Sequence, residues 1–127
     1  MNLLLDTHVL LWIAAGGDAL GPRAAAAISE GRRRVFVSAV TAWEITIKAA
    51  LGRIDAPRDY LEMLDHYRFT PLDVTTAHAL AVRDLPLHHR DPFDRMLVAQ
   101  ARLEGLALVT GDAQLAAYDV HLVDAGS

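Results

Sequence analysis

Four carboxylates stand where a folded chain has little ordinary use for them. Asp6 follows Leu3-Leu4-Leu5 directly, and Glu44 lies inside the apolar run Ala39-Val40-Thr41-Ala42-Trp43-Glu44-Ile45-Thr46-Ile47. Asp94 belongs to Asp91-Pro92-Phe93-Asp94-Arg95, and Asp112 follows Val109-Thr110-Gly111. An acid in apolar surroundings is costly unless it finds a donor, a base or a cation. Each has a plain partner in reach. Asp6 and Asp112 can cap the helices that follow them. Lys48, the only lysine of the chain, stands at i,i+4 from Glu44. Asp91 before Pro92 is a standard helix start, which places Asp94 at the third helical position, where an acid favours the helix dipole. If the four converge, however, their mutual repulsion demands cations, and all-oxygen ligation selects Mg²⁺ or Mn²⁺ over zinc. Clusters of this kind hold the metals that run phosphodiester hydrolysis.

Convergence depends on the elements that carry the acids. Short apolar runs at Leu3 to Leu5, Val35 to Val37 and Ala107 to Val109 are continuous rather than alternating, the pattern of strands covered on both faces of a parallel sheet. Helical composition fills His8 to Ala15, Arg23 to Glu30, Ala39 to Leu51, Tyr60 to Tyr67, Thr76 to Arg83 and Pro92 to Glu104. The alternation predicts an α/β fold. Thr70 to Val74 and Val120 to Val123 read as weaker strands, and Pro71 confines the first to an edge or a strand start. Asp84 to Asp91, with Pro86 and His88-His89-Arg90, has no period and reads as a surface loop. In this arrangement Asp6 and Asp112 end two parallel strands, on the edge where open α/β sheets bind ligands, and Glu44 and Asp94 lie in early turns of helices near it.

Composition bounds the rest. At 127 residues, 53% of them hydrophobic and 22% charged, the chain is expected to form one domain over residues 1–127. The absence of cysteine removes disulfides, zinc-thiolate sites and thiolate nucleophiles. No run is apolar enough for a membrane span and the start lacks the basic residues of a signal peptide, so a cytoplasmic protein with no membrane partner is expected. A net charge of −4 is unfavourable for holding nucleic acid by phosphate neutralisation alone, although two divalent ions would cancel it. Arg32-Arg33-Arg34 reads first as a solvated turn, as does His88-His89-Arg90. Trp12 and Trp43 read as core or dimer packing, the six histidines lack metal spacing, and no serine nucleophile elbow is present.

Taken in order, Leu5-Asp6-Thr7-His8, Ser38-Ala39 with Trp43-Glu44-Ile45, His89-Arg90-Asp91-Pro92-Phe93-Asp94-Arg95 with Ala99-Gln100-Ala101, and Thr110-Gly111-Asp112 resemble the PIN-domain ribonucleases of the VapC toxin type over nearly the whole chain. The resemblance implies a three-layer α/β/α domain with a central, mainly parallel sheet. It implies a Mg²⁺ or Mn²⁺ site and catalytic core made by Asp6, Glu44 and Asp94, with Asp112 as fourth acid and Thr110 as hydrogen-bonding neighbour. It further implies hydrolysis of RNA, a cognate antitoxin whose apolar segment lies over the helices around Trp12 and Trp43, and a homodimer. Two alternatives stand beside it. One is a PIN-like binding module without catalysis. The other is a phosphatase using Asp6 as nucleophile, although His8 stands where that class wants a second aspartate.

Overall fold

The three consecutive leucines of β1 (Leu3–Leu5) are wholly buried and occupy the middle of the sheet, as their lack of alternation requires. The computed structural model describes all 127 residues. The other strands are β2 (Val35–Ser38), β3 (Thr70–Leu72), β4 (Ala107–Thr110) and β5 (Leu122–Asp124). Their order is β3-β2-β1-β4-β5, and every pairing is parallel. Leu3 lies opposite Val35 on one side and Ala107 on the other. β3 is an edge strand, the place that Pro71 tolerates because its missing N–H can face away from a neighbour.

Six helices cover the sheet: α1 (Thr7–Ala14), α2 (Pro22–Ser29), α3 (Ala39–Ala50), α4 (Tyr60–His66), α5 (Thr76–Ala81) and α6 (Pro92–Glu104). Successive strand residues point to opposite faces, and two cores result. Leu3, Leu5, Val35, Val37 and Val109 face one, with Val9, Leu10 and Ile13 of α1, Ile45 of α3 and Leu64 of α4. Leu4 and Leu108 face the other, with Leu97, Val98 and Ala101 of α6 and with Leu85 and Tyr118. The architecture is α/β/α. Helix α3 contributes Ile45 to the first core and Val40 to the second, and contacts both α1 and α6. It therefore stands where the two helical layers meet. No helix is long and apolar enough to cross a membrane.

Two sequence expectations change in the structure. The helix expected from Thr76 to Arg83 leaves α geometry after Ala81 and tightens into a 3₁₀ turn at Val82–Asp84. Pro86 explains the ending: it forces Leu85 into extended backbone, φ −80° and ψ 131°, and Leu85 turns inward into the core. Trp43 is 62% exposed, so it is not a core residue. On α3 the buried stripe is Val40, Thr41, Glu44 and Ile45, and Trp43 falls outside it, edge-on to Phe93 with ring centroids 5.4 Å apart.

Helix α6 is fixed at both ends by its caps. Asp91 is its N-cap, and Oδ1 accepts from the N–H groups of Phe93 at 2.8 Å and Asp94 at 3.1 Å. Pro92 at the first helical position needs no donor partner. Gly105 ends the helix in left-handed backbone at φ 65°, a conformation that costs a glycine little. Asp91→Ala is expected to lower unfolding free energy by about 0.5–2 kcal/mol in urea melts, whereas Asp91→Asn keeps an equivalent cap and leaves stability nearly unchanged.

Candidate active site

Strand β1 ends at Leu5, and the N–H of Asp6 continues its ladder by donating to Val109 O at 3.0 Å. That bond holds the Asp6 side chain between the carboxyl ends of β1 and β4. Its Oδ1 accepts from the Val9 N–H at 2.9 Å, the cap expected for α1, and its Oδ2 accepts from the Thr110 hydroxyl at 2.5 Å. The carboxylate is 4% exposed. Burial raises its pKa, the two hydrogen bonds and His8 work against the rise, and the Glu44 charge adds to it. Asp6 is thus a cap and a buried acid at once.

Glu44 is 2% exposed, and both its oxygens are engaged. Thr7 donates its hydroxyl to Oε1 at 2.5 Å, and the Lys48 ammonium donates to Oε2. The Lys48 pair foreseen from the i,i+4 spacing therefore exists. It does not remove Glu44 from its neighbours, because the Glu44 charge still raises the proton affinity of both Asp6 and Asp94.

Asp94 differs from these two. No donor of the chain lies within hydrogen-bonding reach of its carboxylate. Its only ion-pair geometry is with His89, whose Nε2 is 3.7 Å from Oδ2. Its pKa is pushed up from 3.8 to about 7, first by burial and then by the charges of Asp91, Asp6 and Glu44; His89 opposes the rise only in its protonated form. Acids that follow β1, lie in α3 and open α6 are therefore close enough for their charges to act on one another.

Asp112 reaches the group from β4. Its N–H donates to Thr110 Oγ at 3.1 Å, so a single threonine ties it to Asp6. Oδ1 caps the 3₁₀ turn Ala113–Ala117 by accepting from Gln114 N–H at 2.9 Å, and Oδ2 lies 2.9 Å from His89 Nε2. His89, Asp94 and Asp112 each offer a ligand atom within 4.8 Å of the other two. Gly111 lets the chain pass over Trp12 on the way, since a Cβ there would sit 3.0 Å from the indole.

The segment before α6 is the surface loop that its composition suggests, with Leu85 alone buried, and it is tied down from inside. The Arg95 guanidinium donates to the carbonyls of Val82 at 3.2 Å, Leu85 at 3.2 Å and Pro86 at 2.9 Å, and to Tyr118 Oη at 3.0 Å. Tyr118 Oη in turn accepts from His89 N–H at 2.9 Å. The segment is pinned from inside, and His89 points into the acids with 15% of its side chain exposed. Sequence reasoning missed Thr7, His89, Arg95 and Tyr118 as parts of the site. For Thr7 a signal existed, a hydroxyl residue beside a strand-terminal acid; for Arg95 and Tyr118 none did, because their partners are backbone atoms and each other.

A wholly parallel α/β/α sandwich with acids at the carboxyl edge between β1 and β4, where the strand order reverses, defines a class of domain with its acidic side chains at the switch point. The family model described as the PIN domain matches residues 3–120, and the chain belongs to that family. Comparison with curated proteins gives no match. Among solved structures the chain is similar to VapBC2 from Rickettsia felis bound to a DNA fragment from their promoter, with 13% identity, 98% of each chain covered and a TM-score of 0.73. It is also similar to DNA-bound VapBC from Salmonella typhimurium, with 18% identity, 98% of each chain covered and a TM-score of 0.72. A toxin-antitoxin complex from Klebsiella pneumoniae is similar at 19% identity, 96% of each chain and a TM-score of 0.65. At these identities the likeness is one of fold.

The raised proton affinity of Asp94 fixes a sign for stability. Its folded value, about 7, lies above the ordinary 3.8, so the folded state holds a proton that the unfolded chain has released. Without metal, the stabilisation is complete below the ordinary value and is lost as pH rises toward 7, on the order of 2–4 kcal/mol across the window. Melting temperatures measured in chelator are therefore expected to fall between pH 5 and 7. Asp94→Asn should remove most of that slope, and an unchanged slope would contradict the assignment.

Proposed function

We propose that this chain is a Mg²⁺- or Mn²⁺-dependent endoribonuclease that acts as the toxin of a toxin-antitoxin pair. The observation that carries the reading is the Asp94 carboxylate, which has no donor of its own and stands within the field of Asp91, Asp6 and Glu44. Such a group needs either a proton or a cation, and the donor set of Asp6, Glu44, Asp94 and Asp112 is all oxygen, which suits a hard divalent ion. Bound among these residues, the cation supplies positive charge against the scissile phosphate and lowers the pKa of water beside it.

The chain's own part is positioning. The Val9 N–H and the Thr110 hydroxyl fix Asp6, while Thr7 and Lys48 fix Glu44. Asp91 keeps the first turn of α6 in place, so Asp94 is held by backbone geometry and not by a hydrogen bond of its own. Without a cation this cluster repels phosphate, which makes cleavage contingent on the metal. Hydrolysis would leave 5′-phosphate and 3′-hydroxyl ends. His8, standing where the phosphatase alternative wants a second aspartate, speaks against Asp6 as a nucleophile. A cognate antitoxin, whose basic residue could enter the acids, a homodimer and a cytoplasmic setting complete the reading, supported by the fold shared with the VapBC structures.

Structured RNA is expected to be cut with Mg²⁺ or Mn²⁺ and left intact in EDTA, with Ca²⁺ supporting little turnover; full cleavage in chelator would sink the mechanism. Asp94→Asn should slow cleavage by orders of magnitude with an unchanged or raised metal-free melting temperature. Glu44→Gln should also abolish cleavage with the fold intact; lower stability with cleavage spared would mean that Glu44 serves only its pair with Lys48.

A further inference from the structure

His89, Asp94 and Asp112 together look like a mixed nitrogen and oxygen metal site. We propose instead that His89 is a positioning residue, a neutral Nε2–H donor that holds Asp112 toward Asp94 and ligates no metal. The inference rests on the reading of the acids as a metal site.

The ring itself assigns the role. Nδ1 accepts from the Asp91 backbone N–H at 3.1 Å, so its lone pair is in use and the proton of the neutral imidazole sits on Nε2. Nε2–H donates to Asp112 Oδ2 at 2.9 Å, with Asp94 Oδ2 further off at 3.7 Å. A ligating imidazole needs the opposite arrangement, one bare nitrogen on the metal and a proton on the other, donated outward. Here the other nitrogen faces a donor, and ligation through Nε2 would set two N–H hydrogens against each other. Turning the ring would break both of its hydrogen bonds, and the backbone that carries it is itself fixed. The His89 N–H is held on Tyr118 Oη, and Arg95 binds that same oxygen and the carbonyls of Leu85 and Pro86.

The consequence falls on Asp112. With Gln114 N–H on Oδ1 and His89 on Oδ2, this carboxylate is fixed at both oxygens although it is the most exposed of the three side chains, at 35%. His89 thereby joins Asp112 to the cluster and keeps the ligand atoms all oxygen. An imidazole ligand would shift preference toward zinc and the later transition metals.

Three measurements on the whole chain test this. In the metal-free protein, ¹⁵N-labelled histidine spectra should show His89 as the Nε2–H tautomer, and pulsed EPR of the Mn²⁺-loaded protein should show no ¹⁴N coupling from a bound imidazole. Mn²⁺ titrations should give a Kd raised about 10–100-fold by His89→Ala. His89→Gln, which restores an N–H near the Nε2 position, should recover most of that loss, and His89→Ala should add nothing in an Asp112→Asn background. An Nδ1–H tautomer, a ¹⁴N coupling, or Mn²⁺ affinity unmoved by His89→Ala overturns the inference while leaving the metal site standing. An unaltered chain that binds no Mn²⁺ overturns both. If His89→Ala fails to fold, the two spectra of the unaltered chain decide.

Discussion

The hydrogen bond from Thr110 to Asp6 joins the ends of β1 and β4, the two strands between which the order of the sheet reverses. The placement of the acids depends on it. Through Thr110 Oγ the same contact reaches the Asp112 N–H, and through the other Asp6 oxygen it reaches the first turn of α1. One buried carboxylate thus sets the entry of a helix, the spacing of two strand ends and the approach of a second acid. A donor lost here leaves a buried charge without its partner, which is far costlier than a lost surface contact.

Around this bond the chain manages like charges by unequal means. Glu44 has an ammonium and a hydroxyl, Asp6 a hydroxyl and an amide, and Asp112 an imidazole and an amide. Asp94 alone has no hydrogen-bond donor of its own, only the charges of other acids around it and the His89 ring 3.7 Å away. Negative potential is therefore concentrated on one carboxylate. The only lysine of the molecule lies beside the cluster while eleven arginines lie elsewhere in the sequence, so what matters is the local placement of charge and not the total of −4.

Much of this was legible in the sequence because it is written in local rules. Continuous apolar triplets marked the parallel strands, Asp91-Pro92 marked the start of α6, and the isolated acids marked the carboxyl edge. The capping roles expected for Asp6, Asp91 and Asp112 and the ion pair expected for Glu44 are all present, and the charges of Asp91, Asp6 and Glu44 act on Asp94. The ordinary explanation and the clustering are compatible, since a helix start at a strand end is where a carboxylate can be both held and exposed to its neighbours. What remained illegible is long-range. The segment around His89 has the composition of a free loop, and only the bonds from Arg95 and Tyr118, elements apart in sequence, draw it inward. Trp43 shows the same limit in reverse: its helix is apolar nearly throughout, and the sequence does not say which of its faces stays open.

The sheet contains no hairpin, and its central strand pairs with one that is synthesised much later: the bond between Asp6 and Thr110 spans 104 residues. Closing such a contact costs chain entropy before any packing compensates for it, so the pairing of β1 with β4 is a costlier step than the pairing of β1 with β2. An emerging chain carries Asp6, Glu44 and Asp94 before β4 exists, and until then Asp6 lacks the Thr110 hydroxyl and Asp94 lacks the neighbouring Asp112. The acidic cluster is therefore complete only when the sheet is.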